Sequence, residues 1–156
     1  MQKYDLDHVD KKILKTLCND ANISLSELRK KTGILSESAL SRRIKKMKDI
    51  GIIRGQRIVL DYERLGYEFQ IVAFVKAQYG PGYVDIVAEK IRKIKGVVSL
   101  TFLLGDIDFV VSIICKSKDE YASVLDQLTN IEEIERTDSR TVIKNYGDNL
   151  GGFLDG

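Results

Sequence analysis

The chain reads as an α+β protein built from two successive units, a winged helix-turn-helix followed by a ferredoxin-like βαββαβ module. Three observations carry that reading. Short amphipathic helices with capping signals fill the first third of the 156 residues, apolar strand-like runs alternate with helical periodicity over the rest, and the charge changes sign between the two. Residues 1–58 hold 14 Lys+Arg against 7 Asp+Glu, a charge of +7, whereas residues 59–156 carry −5, which together give the chain's +2. A basic front half suits a polyanion, and the acidic remainder implies a different task.

The first helix is expected within Leu6–Ala21, where Val9, Ile13, Leu14, Leu17 and Cys18 form an apolar stripe behind an acidic first turn of Asp7 and Asp10. On that stripe Cys18 reads as a small buried hydrophobe, and His8 as a surface residue. Ser24 and Glu27 make a capping box for a second helix ending at Thr32, with Gly33 just past its end. Ser36 opens a third helix that stops at Gly51. Two short helices joined by a tight turn, with another packed behind, form the helix-turn-helix layout.

At 100° per residue, Leu40, Ile44 and Met47 share one narrow arc of the third helix and face the core. The opposite arc holds Ser38, Arg42 and Lys45, flanked by Ser41 and Lys46. Small hydroxyls and cations are what a major-groove helix needs, for close approach and for guanine edges and phosphates. Residues 36–57 carry seven Lys+Arg against only Glu37 and Asp49, fewer acids than an ordinary solvated helix would show. The residues expected to meet double-stranded DNA are therefore Ser36, Ser38, Ser41, Arg42, Arg43, Lys45, Lys46, Arg54 and Arg57. The last two belong to IIRGQRIVL, expected to fold as a two-stranded wing around Gly55 whose arginines reach the sugar-phosphate backbone.

After a linker at 59–68, FQIVAFVKAQY (69–79) reads as a strand broken by GPG at 80–82. Val84, Val87, Ala88, Ile91 and Ile94 place a helix over 83–95. VVSLTFLL, the turn GDID (105–108) and FVVSIIC form a hairpin, in which Cys115 reads as core. Ser117 and Glu120 cap a further helix, and a last strand covers about 135–146. The ten residues from 147 to 156, rich in glycine, are expected to form a flexible tail. Two helices cover only one face of a four-stranded sheet. About five or six large side chains would then stay in water at ~1.5–3 kcal/mol each, comparable in total with a domain's net stability. A symmetric sheet-on-sheet homodimer is the economical solution.

The words LDHVDKKILKTL, RRIKKMKDIGIIRG, GDIDFVV and ERTDSRTVI, in this order and spacing, resemble the Lrp/AsnC family of bacterial and archaeal transcription regulators over Leu6 to about Tyr146. The resemblance implies a winged helix-turn-helix and a RAM/ACT-like effector-binding module that builds dimers and often octamers. It implies a small-molecule effector, an amino acid or related metabolite, bound between dimers near the GDxD turn. Carried over by position, effector-binding residues fall on Gly105, Asp106 and Asp108, with Thr101 and Thr137 as further candidates. Four positions depart from the family: Tyr62 replaces a frequent proline, Lys48 an acid, Thr101 an aromatic or His, and Leu104 a hydroxyl. The last two thin the polar lining of the pocket.

Other classes fit less well. One histidine and two distant cysteines do not compose a metal site, a disulfide scaffold or a His-dependent catalytic centre, so no catalytic or metal-ligating residue and no cofactor is expected. Asp106 and Asp108 alone on one turn are a poor acid–base pair, although turn aspartates often bond backbone amides. Free N–H groups after Gly105 suit a ligand carboxylate, and a nearby Asp suits its ammonium. Sirohaem decarboxylases resemble the same two-part fold, but a tetrapyrrole pocket would want His and Arg, and residues 69–156 offer only Arg92, Arg136 and Arg140. An effector-independent architectural protein fits the basic helix equally well. The N-terminus has no apolar signal segment and no run is long enough to span a bilayer, so no membrane association is expected and the chain reads as cytoplasmic.

Overall fold

The computed structural model describes residues 4–155. The chain divides into two compact units. One ends at Val59 and is joined by the segment from Tyr146 onward, and the other is Leu60–Asn145.

In the first unit, α1 is His8–Asn19, α2 Leu25–Thr32 and α3 Glu37–Asp49. Each begins at a side-chain cap: Asp7, Ser24 and Ser36 accept the N–H of Asp10, Glu27 and Ala39 respectively. Gly33 ends α2 at φ 75°, a left-handed conformation that favours glycine and sets the tight turn into α3. The core is Ile13, Leu28, Leu40 and Met47, with Val9, Leu14, Leu17, Ile34, Ile44 and Ile53 packed around it. Cys18, expected inside, is exposed. It lies about 140° round the helix from Ile13, outside the buried arc.

The wing also departs from expectation. No strand pairing joins the IIRG and RIVL pieces among the described residues. The N–H groups of Ile52 and Ile53 both turn back to the carbonyl of Met47, extending the end of α3 instead of starting a ribbon. Ile58 and Val59 are consequently exposed. The tail differs as well. Gly152–Asp155 form a 3-10 helix packed beside α1, and Gly151 is buried against Lys15. Gly156, the last residue of the expected tail, lies outside the described residues.

The second unit runs β1 (Phe69–Ala77), α4 (Tyr83–Arg92), β2 (Val97–Phe102), β3 (Phe109–Cys115), α5 (Lys118–Thr129) and β4 (Ile134–Thr141). The sheet order is β2-β3-β1-β4 with every neighbour antiparallel, the split βαβ arrangement. The last strand stops at Thr141, short of its expected end. Alternation along β1 and β3 sends Ile71, Ala73, Val75, Phe109, Val111 and Ile113 into the core beneath α4 and α5. Cys115 is buried with them, and burial pushes its thiol pKa up. The other face of these strands carries Val72, Phe74, Val110 and Ile114, all partly exposed, interleaved with Gln70, Lys76 and Ser112. That is four large apolar side chains, fewer than the sequence suggested, because β2 and β4 turn polar residues to this side. Among the described residues no helix is long and apolar enough to cross a membrane.

Candidate nucleic-acid interface and effector turn

The outer arc of α3 is shaped by its caps. Ser36 is spent on the N-terminus, and its hydroxyl also meets that of Ser38 at 3.1 Å. Ser38, Ser41, Arg42, Lys45 and Lys46 are exposed, as the helical phase requires when Leu40 and Met47 are fully buried. Their commitments differ. Lys45 pairs with Asp49 one turn on, at 2.7 Å, in an exposed i,i+4 bridge of the kind that contributes little and exchanges easily. Lys46 rests over the Tyr4 ring, 4.9 Å from its centroid. Arg42 has no ion pair or hydrogen bond among the described residues.

Arg43 has a different place. Its Nη1 donates to Asp7 Oδ2 at 2.6 Å and to Asp10 Oδ1 at 2.8 Å. Asp10 is only 2% exposed and also accepts the Tyr4 hydroxyl at 3.4 Å. Arg43 therefore clamps α3 to the first turn of α1, a commitment that the other residues of the expected DNA-facing set do not share. The cause is phase: Arg43 sits about 60° from Leu40 on the helix, at the rim of the core rather than on the outer arc. Arg54 and Arg57 are exposed in the unpaired segment after α3, so they are not displayed by a rigid ribbon. Gln56 in the same segment donates to the carbonyl of Ala21 at 3.0 Å, a tether that no sequence signal announced.

In the second unit, the GDID turn joins β2 to β3 and its two aspartates separate in role. Asp106 and Gly105 are exposed. Asp108 is 2% exposed and already occupied. Its Oδ2 accepts the backbone N–H of Ala77 at 2.9 Å, its Oδ1 accepts the Tyr83 hydroxyl at 3.4 Å, and Lys76 Nζ lies 3.4 Å away. Its own N–H donates to Val75 and its carbonyl accepts from Leu103. The Ala77 contact falls where the β1–β4 register shifts, so Asp108 satisfies an amide that the ladder leaves open. Its expected role as a ligand group is corrected to that of an internal staple.

Tyr83 and Lys76 completed this cluster without being singled out in the sequence; a lone lysine inside the apolar run FQIVAFVKA was the available signal. The Tyr79 hydroxyl, 2.9 Å from Lys76 Nζ, and Asp108 both hold the Lys76 pKa above its usual value. Burial, with the Asp108 charge, raises that of Tyr83.

Thr101 and Thr137 are not brought together. Thr101 pairs with Val110 on the open face of edge strand β2. Thr137 pairs with Val75 on the helix-covered face of the opposite edge strand β4, where its Oγ1 is buried without a hydrogen-bond partner. Within one protomer the five effector candidates do not line a single pocket. Among the described residues no group of three or more His, Cys, Asp or Glu is arranged to hold a metal ion.

Comparisons with known proteins follow the same division. Residues 6–54 match a winged helix-turn-helix DNA-binding model, and residues 72–150 match the Lrp/AsnC ligand binding domain. The chain is 36% identical over 141 residues to the HTH-type transcriptional regulator FL11 of Pyrococcus horikoshii, covering 90% of this chain and 91% of that protein. It is 29% identical to the regulatory protein AsnC of Escherichia coli, covering 93% and 95%. The solved structure of E. coli AsnC superposes with a TM-score of 0.80 at 26% identity, over 93% of this chain and 97% of that one. The complex of a Neisseria meningitidis transcriptional regulator with L-Met superposes with a TM-score of 0.84 at 26% identity, over 92% and 94%.

Proposed function

Because the chain belongs to the Lrp/AsnC family of transcription regulators, we propose that it binds specific double-stranded DNA sites through α3 and is modulated by a small amino acid or related metabolite. The observation that carries the DNA assignment is the outer arc of α3, where Ser38, Arg42 and Lys45 stand exposed and Arg42 is uncommitted among the described residues. Arg42 reads a guanine edge, while Lys45, released from Asp49, neutralises a phosphate. Ser36, Ser41, Lys46, Arg54 and Arg57 contribute backbone contacts that position the helix.

The working form is a homodimer, with assembly to an octamer as a further step. Val72, Phe74, Val110 and Ile114 on the open sheet face support this, since a second sheet would take them out of water. The effector binds where copies meet, around Gly105 and Asp106. Thr101 and Thr137 take part only if different copies supply them, because one protomer holds them at opposite sheet edges. The L-Met complex of the Neisseria relative supports an amino acid as the ligand class. No residue carries a catalytic role in this reading, and the protein works in the cytoplasm, with the DNA it regulates.

Footprinting across genomic DNA, with and without each of the twenty amino acids, tests the reading. A few protected sites whose occupancy one amino acid changes are expected. Uniform protection without sequence preference would favour an architectural DNA-compacting protein, and a response to no amino acid would leave DNA binding independent of this effector class.

A further inference from the structure

Leu35 is 95% exposed, the most exposed of the large apolar side chains among the described residues. A single surface leucine is ordinary; the position of this one is not. It occupies the turn between α2 and α3, immediately before the N-cap Ser36. Its neighbour Ile34 packs against the core, so the turn sends two adjacent apolar side chains in opposite directions. The conformation is held from both ends. Ser36 caps Ala39, and Arg29 Nη1 donates to the Leu35 carbonyl at 3.5 Å.

Leu35 precedes the N-cap and so stands at the N-terminal end of α3, the end from which the exposed Ser38 and Arg42 follow. The start of a recognition helix is the part that enters the major groove most deeply. There the chain offers a hydroxyl, a guanidinium and one bare isobutyl group. The only apolar feature on the major-groove edge of a base pair is the 5-methyl of thymine.

We propose that Leu35 reads thymine: its side chain packs on the 5-methyl group of a thymine in each half-site, a few base pairs from the one that Arg42 contacts. This inference rests on the assignment of α3 to DNA and adds a specificity residue that carries no charge. It explains why the turn keeps a leucine in water in the free protein, since the cost of its exposure is recovered when the groove covers it. The contact adds sequence preference without adding to the salt dependence, because no counterion is displaced by it.

The test uses the full-length protein and a duplex enriched from a random-sequence pool. Each thymine of the enriched site is replaced singly by deoxyuridine, which removes only the methyl group, and affinities are compared at one salt concentration. The parent protein is expected to lose about fourfold in affinity at one thymine per half-site, the equivalent of one buried methyl. Leu35→Ala should bind thymine and uracil duplexes alike at that position while keeping the parent's melting temperature, because the side chain supports no packing in the free protein. A thymine-to-uracil ratio unchanged in Leu35→Ala, or no such preference in the parent, overturns the role of Leu35 while leaving DNA binding intact. Failure to enrich any duplex overturns the DNA assignment itself, and this inference with it.

Discussion

The guanidinium of Arg43 on α3 lies 2.8 Å from the carboxylate of Asp10 on α1, and Asp10 is 2% exposed. The contact gives two adjacent arginines opposite tasks. Arg42 points away from the core with no ion pair or hydrogen bond among the described residues, whereas Arg43 ties the helix that would read DNA to the helix behind it. A buried carboxylate is tolerable only when it is paired.

The first prediction separates the two. Arg43→Ala leaves the Asp10 carboxylate, among the described residues, with only a long contact to the Tyr4 hydroxyl and should destabilise the first unit by about 1–3 kcal/mol. The figure stays modest because Arg43 is itself 39% exposed and water can enter. Arg42→Ala should leave stability within about 0.5 kcal/mol of the parent and weaken DNA binding by about 1–3 kcal/mol if it loses a guanine contact. Thermal melting and titration of a footprinted site, run on both variants, distinguish the roles. Equal melting temperatures for both variants would refute the clamp.

The same clamp makes stability depend on pH. The N–H of Asp10 and the guanidinium of Arg43 hold the Asp7 carboxyl below its ordinary value of 3.8. A carboxyl with a depressed folded pKa contributes stability that is fully present above the unfolded value and is lost as pH falls through the folded one. The first unit should therefore weaken below about pH 4. Asp7→Asn keeps a capping side chain but cannot titrate, so it should flatten that part of the curve. Chemical denaturation between pH 6 and pH 2.5 measures it, and identical slopes for parent and variant would exclude Asp7 as a source.

The fold was legible in the sequence because its signals are local. Ser24, Ser36 and Ser117 all cap the helices they announced, and the apolar runs at 69–79 and 109–115 became the central strands, the first ending at Ala77. The outer arc of α3 followed from the burial of Leu40 and Met47. What stayed hidden was pairing between distant residues. Asp7 and Asp10 read as dipole partners of α1, yet their cation comes from 33 and 36 positions away. The pairing of Arg43 with Asp7 and Asp10 was not legible because composition records charge and not direction; its phase beside Leu40 was the clue. The wing failed for a local reason, since alternation around Gly55 was offset by the pull of the Met47 carbonyl on Ile52 and Ile53. Asp108 and Asp106 are alike in sequence and were separated only by the amide at the β1 register shift.

That separation gives the third prediction. Asp106 is exposed, without an ion pair or side-chain hydrogen bond among the described residues, so Asp106→Ala should melt like the parent. Any loss of an amino-acid effect on DNA binding would then be attributable to the ligand. Asp108→Ala leaves the Ala77 N–H unpaired and frees Lys76 from its carboxylate, at a cost of about 1–3 kcal/mol. Hydrogen exchange should report it directly, with the Ala77 amide losing protection in Asp108→Ala and keeping it in Asp106→Ala. Protection retained in both would mean that the staple is not formed in solution.

The C-terminal segment supplies the last prediction. Gly151 is buried, and a Cβ placed there would lie 3.2 Å from Lys15 Cγ and 3.6 Å from the backbone of Lys15 on α1. A Cβ alone would press the Lys15 side chain and meet its backbone at ordinary contact distance, so the further methyl groups of a branched side chain would crowd α1 and favour lifting the segment. Gly151→Val should release the Gly152–Asp155 turn from α1. Because the segment contributes one small contact to a unit whose core is elsewhere, the loss should be small, about 0.5–1.5 kcal/mol. The second unit, with its own core around Phe109 and Ile113, should be unaffected. Limited proteolysis distinguishes this from general destabilisation: cleavage after Phe153, 80% exposed, should accelerate in Gly151→Val while cleavage within α1 does not. If the segment is cut equally fast in the parent, the contact between Gly151 and Lys15 does not persist in solution, and the last ten residues behave as the free tail that their glycine content suggests.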